Sequence, residues 1–319
     1  MDIVYESREA AQFLASLGLE WDPEVDFTVA LFDGGKIAAT GSRNRNILKC
    51  IGVDPSYRSG GLAATIVSEL IKNAWSAGFR HLFIYTSPKS APLFSGLGFY
   101  PIMQTDKVVL LENMRNGIRD YVGKMIPVPE SGNVGCIVAN CNPFTCGHQY
   151  LAEYAAGDCD FLYFFLLSED KSEFSYNLRL EMVREGLSHL DNVGIYPTGD
   201  YLISSATFPD YFLKDKDTVK SAYYDLDIRI FAAYFAKPLK ISRRYAGSEP
   251  SDAVTRGYNE RMGELLPSLG INFIEIPRKT QENQPVSART VRRLLSEGRL
   301  EDVKRLVPAS TFERIRSRR

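Results

Sequence analysis

Residues Asn140 to His148 read NCNPFTCGH, and they follow directly on the apolar run VGCIVA, Val134 to Ala139. A short apolar run closed by small polar residues, proline and glycine, and opening onto HQYLAEYAA, is the pattern of a buried strand feeding a helix through a tight loop. His148 is one of only three histidines in 319 residues, and it stands at the start of that helix. The first N–H groups of a helix have no intrahelical acceptor and the helix dipole is positive there, so the loop reads as an anion site with a histidine aimed at its occupant. No GxxxxGK[ST] loop occurs elsewhere, so any nucleotide chemistry has to pass through this one.

Outward from the loop, strand and helix signals alternate. FLYFFLLS reads as a strand, Tyr176 to Leu190 as a helix, LKISRRYAG and INFIEIP as strands, and a final helix starts at Ser287. Such alternation predicts a parallel sheet covered by helices. Upstream, Tyr121 to Gly135 gathers two prolines and three glycines and reads as a linker. Before it come a helix (Glu6 to Leu17), a hairpin in FTVALFDGGKIAATGSR turning at Asp33-Gly34-Gly35, a strand ILKCIGVD, a helix GLAATIVSELIKNAWSAG and a strand HLFIYT. The expected fold class is α/β in two domains, a mixed α+β domain over 1–120 and a Rossmann-like parallel-sheet domain over 134–319, joined by a linker at 121–133.

Composition narrows the function. With 38 Lys plus Arg against 39 Asp plus Glu the net charge is −1, which predicts no nucleic-acid or membrane-surface partner. The Arg-rich end RIRSRR reads as a solvated helix terminus. The five cysteines lack paired metal-site spacing, so no protein-held metal is expected, and His81 and His189 read as surface residues. An acidic, polar amino terminus and the lack of a long uncharged apolar run point to a soluble, cytoplasmic protein.

A second loop has the same physical character. ILKCIGVD runs through Pro55-Ser56-Tyr57 into Arg58-Ser59-Gly60-Gly61-Leu62-Ala63 at a helix start. Arg58-x-x-Gly61-x-Ala63 resembles the pyrophosphate loop of the Gcn5-related N-acetyltransferase family, and APLFSGLGF resembles that family's second signature. This resemblance implies that Arg58, Ser59, Gly60, Gly61 and Ala63 hold an acyl-CoA or pantetheine group. No Glu or His suited to deprotonating an amine is evident near the loop. In the second half, Thr145-x-Gly147-His148 resembles the T/HxGH signature of the nucleotidylyltransferase superfamily. Val286-Ser287-Ala288-Arg289-Thr290-Val291-Arg292, about 140 residues on, resembles its ISSTxxR signature at Ser287 and Arg292 and departs from it at Ala288 and Arg289.

Taken in order, NCNPFTCGHQYLAEYAA, SEDKSEFSYNLRLEMV, ISSATFPDYFLK, ISRRYAGSEPSDAVTRGYN and EIPRK with PVSARTVRRLL resemble the citrate lyase ligase family over nearly the whole chain. That resemblance implies ATP and Mg²⁺ as cofactors and acetate as substrate, with no tightly bound prosthetic group. The implied acceptor is the phosphoribosyl-dephospho-CoA thiol of the citrate lyase acyl carrier subunit. It further implies catalytic roles for His148, Thr145, Ser287 and Arg292, and ATP contacts from Asn140, Asn142, Pro143, Phe144, Gly147, Lys171, Arg179, Arg244, Gly247 and Glu249. Two other readings stay open at this point. One is a cofactor-biosynthetic nucleotidylyltransferase fused to an acetyltransferase. The other is a non-enzymatic nucleotide or acyl-CoA sensor.

Overall fold

A computed structural model of the chain describes residues 2–4, 8–58, 60–125, 132–168, 172–203, 216–250, 252–281 and 284–318. Ser59, Lys171 and most of ISSATFPDYFLK therefore lie outside the described residues. The chain forms two compact units, residues 1–120 with 206–226, and residues 121–205 with 227–319. Of the described residues that the sequence places within the second domain, 216–226 group with the first unit.

The first unit is a seven-stranded sheet in the order β1-β2-β3-β4-β5-β7-β6. Its elements are β1 (Asp2–Val4), α1 (Arg8–Ser16), β2 (Phe27–Asp33), β3 (Lys36–Asn44), β4 (Ile47–Val53), α2 (Leu62–Ser76), β5 (Phe83–Thr86), α3 (Ala91–Ser95), β6 (Tyr100–Gln104) and β7 (Val109–Glu112). The β2–β3 hairpin turns through Gly34 and Gly35 at φ +57° and +79°, the two positive values that a tight hairpin turn requires. Strands β6 and β7 carry no alternation long enough to be read from sequence, and they join by pairing with each other and with β5. β4 and β5 run parallel but pair only at Ile47 with Phe83 and Leu48 with Ile84, after which the two strands part.

Helix α4 (Gly117–Val122) overlaps the stretch read as a linker. Tyr121 is fixed within the second unit, where its hydroxyl donates to the Pro197 carbonyl at 2.8 Å and its ring lies 5.4 Å from that of Tyr201.

The second unit is a five-stranded sheet in the order β10-β9-β8-β11-β12, parallel throughout as the alternation predicts. Its elements run β8 (Val134–Ala139), α5 (Cys146–Gly157), β9 (Phe161–Leu166), α6 (Tyr176–Gly186), β10 (Val193–Pro197), the end of α7 (Lys216–Ile230) from Asp227 onward, β11 (Arg243–Gly247), α8 (Ala253–Leu265), β12 (Asn272–Ile276), the short pair β13 (Thr280–Gln281) and β14 (Gln284–Pro285), then α9 (Ala288–Ser296), α10 (Leu300–Lys304) and α11 (Ala309–Ser317). The expected final helix is thus three helices, broken where Gly298 takes φ +76° and where Pro308 precedes α11. Phe164, Leu166, Ile137 and Tyr245 from the sheet pack with Phe144, Ala152, Met182 and Val183 in one buried core. Each such large side chain contributes about 1.5–3 kcal/mol relative to exposure. From β8 the chain lays strands outward on one side, then returns to lay β11 and β12 on the other. The carboxyl ends of β8 and β11 therefore flank a topological switch point, the place where open α/β sheets hold their ligands.

Candidate active site

At the carboxyl end of β8 the loop delivers Thr145 as the N-cap of α5, in extended conformation. The Thr145 hydroxyl accepts from the His148 backbone N–H at 3.4 Å. In return Nδ1 of His148 accepts the Thr145 backbone N–H at 3.0 Å and lies 2.9 Å from the Thr145 hydroxyl. Nδ1 is therefore an acceptor, and the ring proton of the neutral imidazole sits on Nε2. Desolvation, with the Arg278 cation adding to it, lowers the His148 pKa to about 4. Of the neutral and cationic forms open to it from sequence, the neutral one holds at physiological pH. The imidazole stacks on the Phe144 ring, centroids 5.8 Å apart and planes 18° apart. Phe144 is itself fully buried against Gly186, where a Cβ would overlap its ring.

The amino terminus of α9 comes to the same place. Ser287 caps it by accepting from the Thr290 N–H at 3.1 Å. Gly147 makes this meeting possible, because a Cβ there would lie 3.3 Å from the Val286 carbonyl. Protein backbone at Val286 passes where a Gly147 side chain would stand, which brings α9 against α5. Arg292 donates through Nη1 to the Asn142 carbonyl and ties α9 to the β8–α5 loop.

Between these termini and the ends of β11 and β12 opens a cleft of about 510 Å³. Thr145, His148, Ser287 and Arg292 all line it, as do Asn140, Gly147, Arg244, Gly247 and Glu249. Glu249 ion-pairs with Arg278 and accepts from the Asp252 N–H at 3.2 Å, so it fixes a cation and the start of α8 together. The Gly247 carbonyl accepts from Asn259 Nδ2 at 3.0 Å. Arg278, Lys279 and Arg289 also face the cleft and went unread in the sequence. For Arg278 and Lys279 the signal was the basic pair directly following the apolar strand INFIEIP, where a parallel strand delivers residues to a switch point.

Four expected ATP contacts stand elsewhere. Arg179 is 0% exposed and is spent on main chain and one amide: it donates to the carbonyls of Phe174 (3.1 Å), Asn140 (2.8 Å) and Leu167 (2.8 Å) and to Asn140 Oδ1 (2.9 Å). It fastens the ends of β8 and β9 rather than facing the cleft. Phe144 and Pro143 are buried beneath the loop, and Asn142 accepts the Phe174 N–H at 3.1 Å. These residues shape the loop from behind, and Lys171 lies outside the described residues.

Among the described residues no group of three or more His, Cys, Asp or Glu is placed to hold a metal. Burial pushes the Cys136 thiol up to about 12 and the Cys141 thiol higher still, so neither is a nucleophile. His189 is exposed and 3.0 Å from Glu153, while His81 is less exposed than expected and pairs with the buried Glu112 at 2.7 Å.

A family model described as the citrate lyase ligase C-terminal domain matches residues 134–315, and the acetyltransferase (GNAT) family matches residues 4–99. A [Citrate [pro-3S]-lyase] ligase of Haemophilus influenzae is 39% identical over 94% of this chain and 92% of its own length. The enzyme of that name from Klebsiella pneumoniae is 38% identical over 96% and 91%. This chain belongs to the citrate lyase ligase family. Among solved structures, Thermotoga maritima TmcAL bound with alpha-thio ATP is similar with a TM-score of 0.41 and 14% identity, covering 58% of this chain and 55% of that one. Every cleft residue named above falls within the match to the citrate lyase ligase C-terminal domain.

In this citrate lyase ligase family member the first unit places its loop at the start of α2. Gly61 is the N-cap at φ +71°, with no side-chain cap, so the N–H groups of Leu62 and Ala63 point past the helix end. Arg58 and Gly60 are exposed beside it, Ala63 is buried beneath, and Ser59 lies outside the described residues. No helix among the described residues is long and apolar enough to cross a membrane.

Proposed function

We propose that the cleft of the second unit adenylates acetate with ATP, releasing pyrophosphate, and that the acetyl group then passes to the thiol of the citrate lyase acyl carrier's prosthetic group, releasing AMP. The observation that carries this reading is the neutral His148, its proton on Nε2, set in a cleft between two helix amino termini. In the first step an acetate oxygen forms a bond to the α-phosphorus while the bond to the bridging oxygen breaks, its electron pair leaving with pyrophosphate. Acetate is already ionised at neutral pH, so no general base is required, and catalysis consists of positioning and charge stabilisation. The Nε2–H of His148 donates toward the oxygen on which charge develops, together with the N–H of Gly147 at the start of α5 and those of Ala288 and Arg289 at the start of α9, the others there being taken by Leu306, Thr145 and Ser287. Arg278, Lys279, Arg289 and Arg292 offset the charge of the departing group.

The residues present fit a nucleotide-borne Mg²⁺ rather than a protein-held one. Glu249 and Asp252 are the cleft's carboxylates, and the first is engaged by Arg278 while the second accepts the Thr255 N–H at 2.9 Å to cap α8. The metal, carried on the phosphates, supplies charge neutralisation when bound. In the second step the carrier sulfur attacks the acetyl carbonyl and AMP leaves. A thiol with a pKa of about 8.5 is already partly ionised at neutral pH, so the first unit has only to deliver it, through the loop at α2 and the opening where β4 and β5 part.

The test is exchange of labelled pyrophosphate into ATP by the full chain, with acetate and Mg²⁺ and without a thiol acceptor. Acetate-dependent exchange is the expected result. Exchange that requires a phosphomonoester acceptor instead would assign the chain to cofactor nucleotidylyl transfer.

A further inference from the structure

Arg244 stands apart from the other cations of the cleft. It is the second residue of β11, three residues before Gly247, and so lies about 10 Å below the level at which the strand ends. It is 3% exposed yet lines the cleft, with its guanidinium 4.3 Å from the centroid of the buried Phe231 ring. Among the described residues no hydrogen bond or ion pair engages that guanidinium, in contrast to Arg179 and Arg278. A buried cation with its donors unspent is costly unless an anion completes it.

Its surroundings describe the anion. Asp227, a carboxylate within the field of Arg244, is fully buried, and both its oxygens are taken: Oδ1 accepts the Ile203 N–H at 2.8 Å and Oδ2 accepts the Tyr258 hydroxyl. That hydrogen bond holds Ile203 at φ +44°, a left-handed conformation that a β-branched residue adopts only under constraint. Ile203, Tyr258 and Met262 line the cleft with Arg244 and present mostly carbon. The triphosphate is already provided with Arg278, Lys279, Arg289 and two helix termini nearer the strand ends, and adenine carries no charge for Arg244 to meet. One cation among carbon walls matches one negative charge on a small apolar group.

The geometry points to Arg244 as the anchor of the acid substrate, a short-chain monocarboxylate, with Ile203 as the wall that limits its length. One carboxylate oxygen lies on the guanidinium and the other faces the α-phosphorus. Asp227 is a positioning residue that fixes Ile203 and Tyr258. This assignment rests on the adenylation proposed above, and it moves Arg244 from the nucleotide contacts to the acid subsite.

The experiment is pyrophosphate exchange by the full chain with acetate, propionate and butyrate, for the unaltered protein, Arg244→Lys, Arg244→Gln and Ile203→Ala. Acetate-dependent exchange by the unaltered protein establishes the reading on which the inference rests, and its absence sinks both. Given that exchange, Arg244→Gln should raise KM for acetate about 10- to 100-fold, as expected for a lost charge-assisted hydrogen bond, with KM for ATP within about threefold. Arg244→Lys should fall between. A rise in KM for ATP equal to or larger than that for acetate, or no rise in either, overturns the assignment. If the Arg244 variants do not fold, Ile203→Ala decides: kcat/KM for propionate relative to acetate should rise about tenfold, and an unchanged ratio refutes the subsite.

Discussion

The backbone N–H of Thr145 donates to Nδ1 of His148 at 3.0 Å. One contact thereby fixes the tautomer and closes the first turn of α5, and among the described residues Nε2–H has no hydrogen-bond acceptor. Replacing His148 by Ala removes a donor felt mainly in the transition state, so turnover in acetate-dependent exchange should fall about 100- to 1000-fold. KM for ATP should change far less. Collapse of ATP binding with unaltered turnover per bound ATP would make His148 a ground-state ligand and refute its role.

The same burial has a pH signature. The His148 pKa falls from 6.5 to about 4 in the folded protein, so between those values the unfolded chain binds a proton that the folded chain refuses. The stability contributed by the neutral ring is complete above about pH 6.5 and is lost as pH falls toward 4. Urea melts at pH 7 and pH 5 should show a smaller loss for His148→Gln than for the unaltered protein. An equal loss in both would place the sensitivity in other groups.

Gly147→Ala tests the contact between the two helix termini. The added methyl would sit 3.3 Å from the Val286 carbonyl, so α9 must retreat by a few tenths of an ångström. Because reacting groups tolerate little misplacement, kcat/KM should drop about tenfold, with a melting temperature within a few degrees of the original. Full activity would mean that the termini need not be so close.

Arg179→Met separates a scaffold role from nucleotide contact. It removes the shared donor of three carbonyls and of the Asn140 amide oxygen, the last of which keeps only the Ser172 hydroxyl at 3.2 Å, a loss on the order of 3 kcal/mol in denaturant melts. The fraction still folded at low temperature should keep its KM for ATP within a few-fold. A large rise in that KM, with stability intact, would return Arg179 to the nucleotide.

How far the sequence could be read follows the range of the forces involved. Thr145 and Ser287 were legible because helix capping is settled within three residues, and β8 and β9 because their apolar runs are continuous, whereas β10 went unread because VGIYP is short and follows polar residues. Arg179, the fourth residue of α6, carries no local sign that it turns inward to carbonyls, and Arg278, two residues beyond β12, has the basic-pair signal for the cleft but none for its pairing with Glu249; only the pairing of distant strands settles both. Strands β6 and β7 and helices α7 and α8 were missed for a related reason, since their patterns are short or mixed and packing rather than periodicity selects them.

The first unit supplies a separable prediction. Gly61 at φ +71° has open space where a Cβ would go, so Gly61→Val strains the backbone without a steric clash. Combined with Arg58→Ala it should slow acetylation of the carrier thiol at least about tenfold while acetate-dependent exchange persists. Equal loss of both activities, in a variant whose circular dichroism is unchanged, would end the proposed division of labour.

The tie between Arg292 and the Asn142 carbonyl joins residues 150 positions apart. During synthesis at about 5–20 residues per second, roughly 10–30 s separate the emergence of the two ends of that tie. Until then a nascent chain presents the amino terminus of α5 without that of α9. Proteins interrupted before residue 287 are thus expected to be inert toward ATP, and the arrival of α9 is the step that completes the cleft.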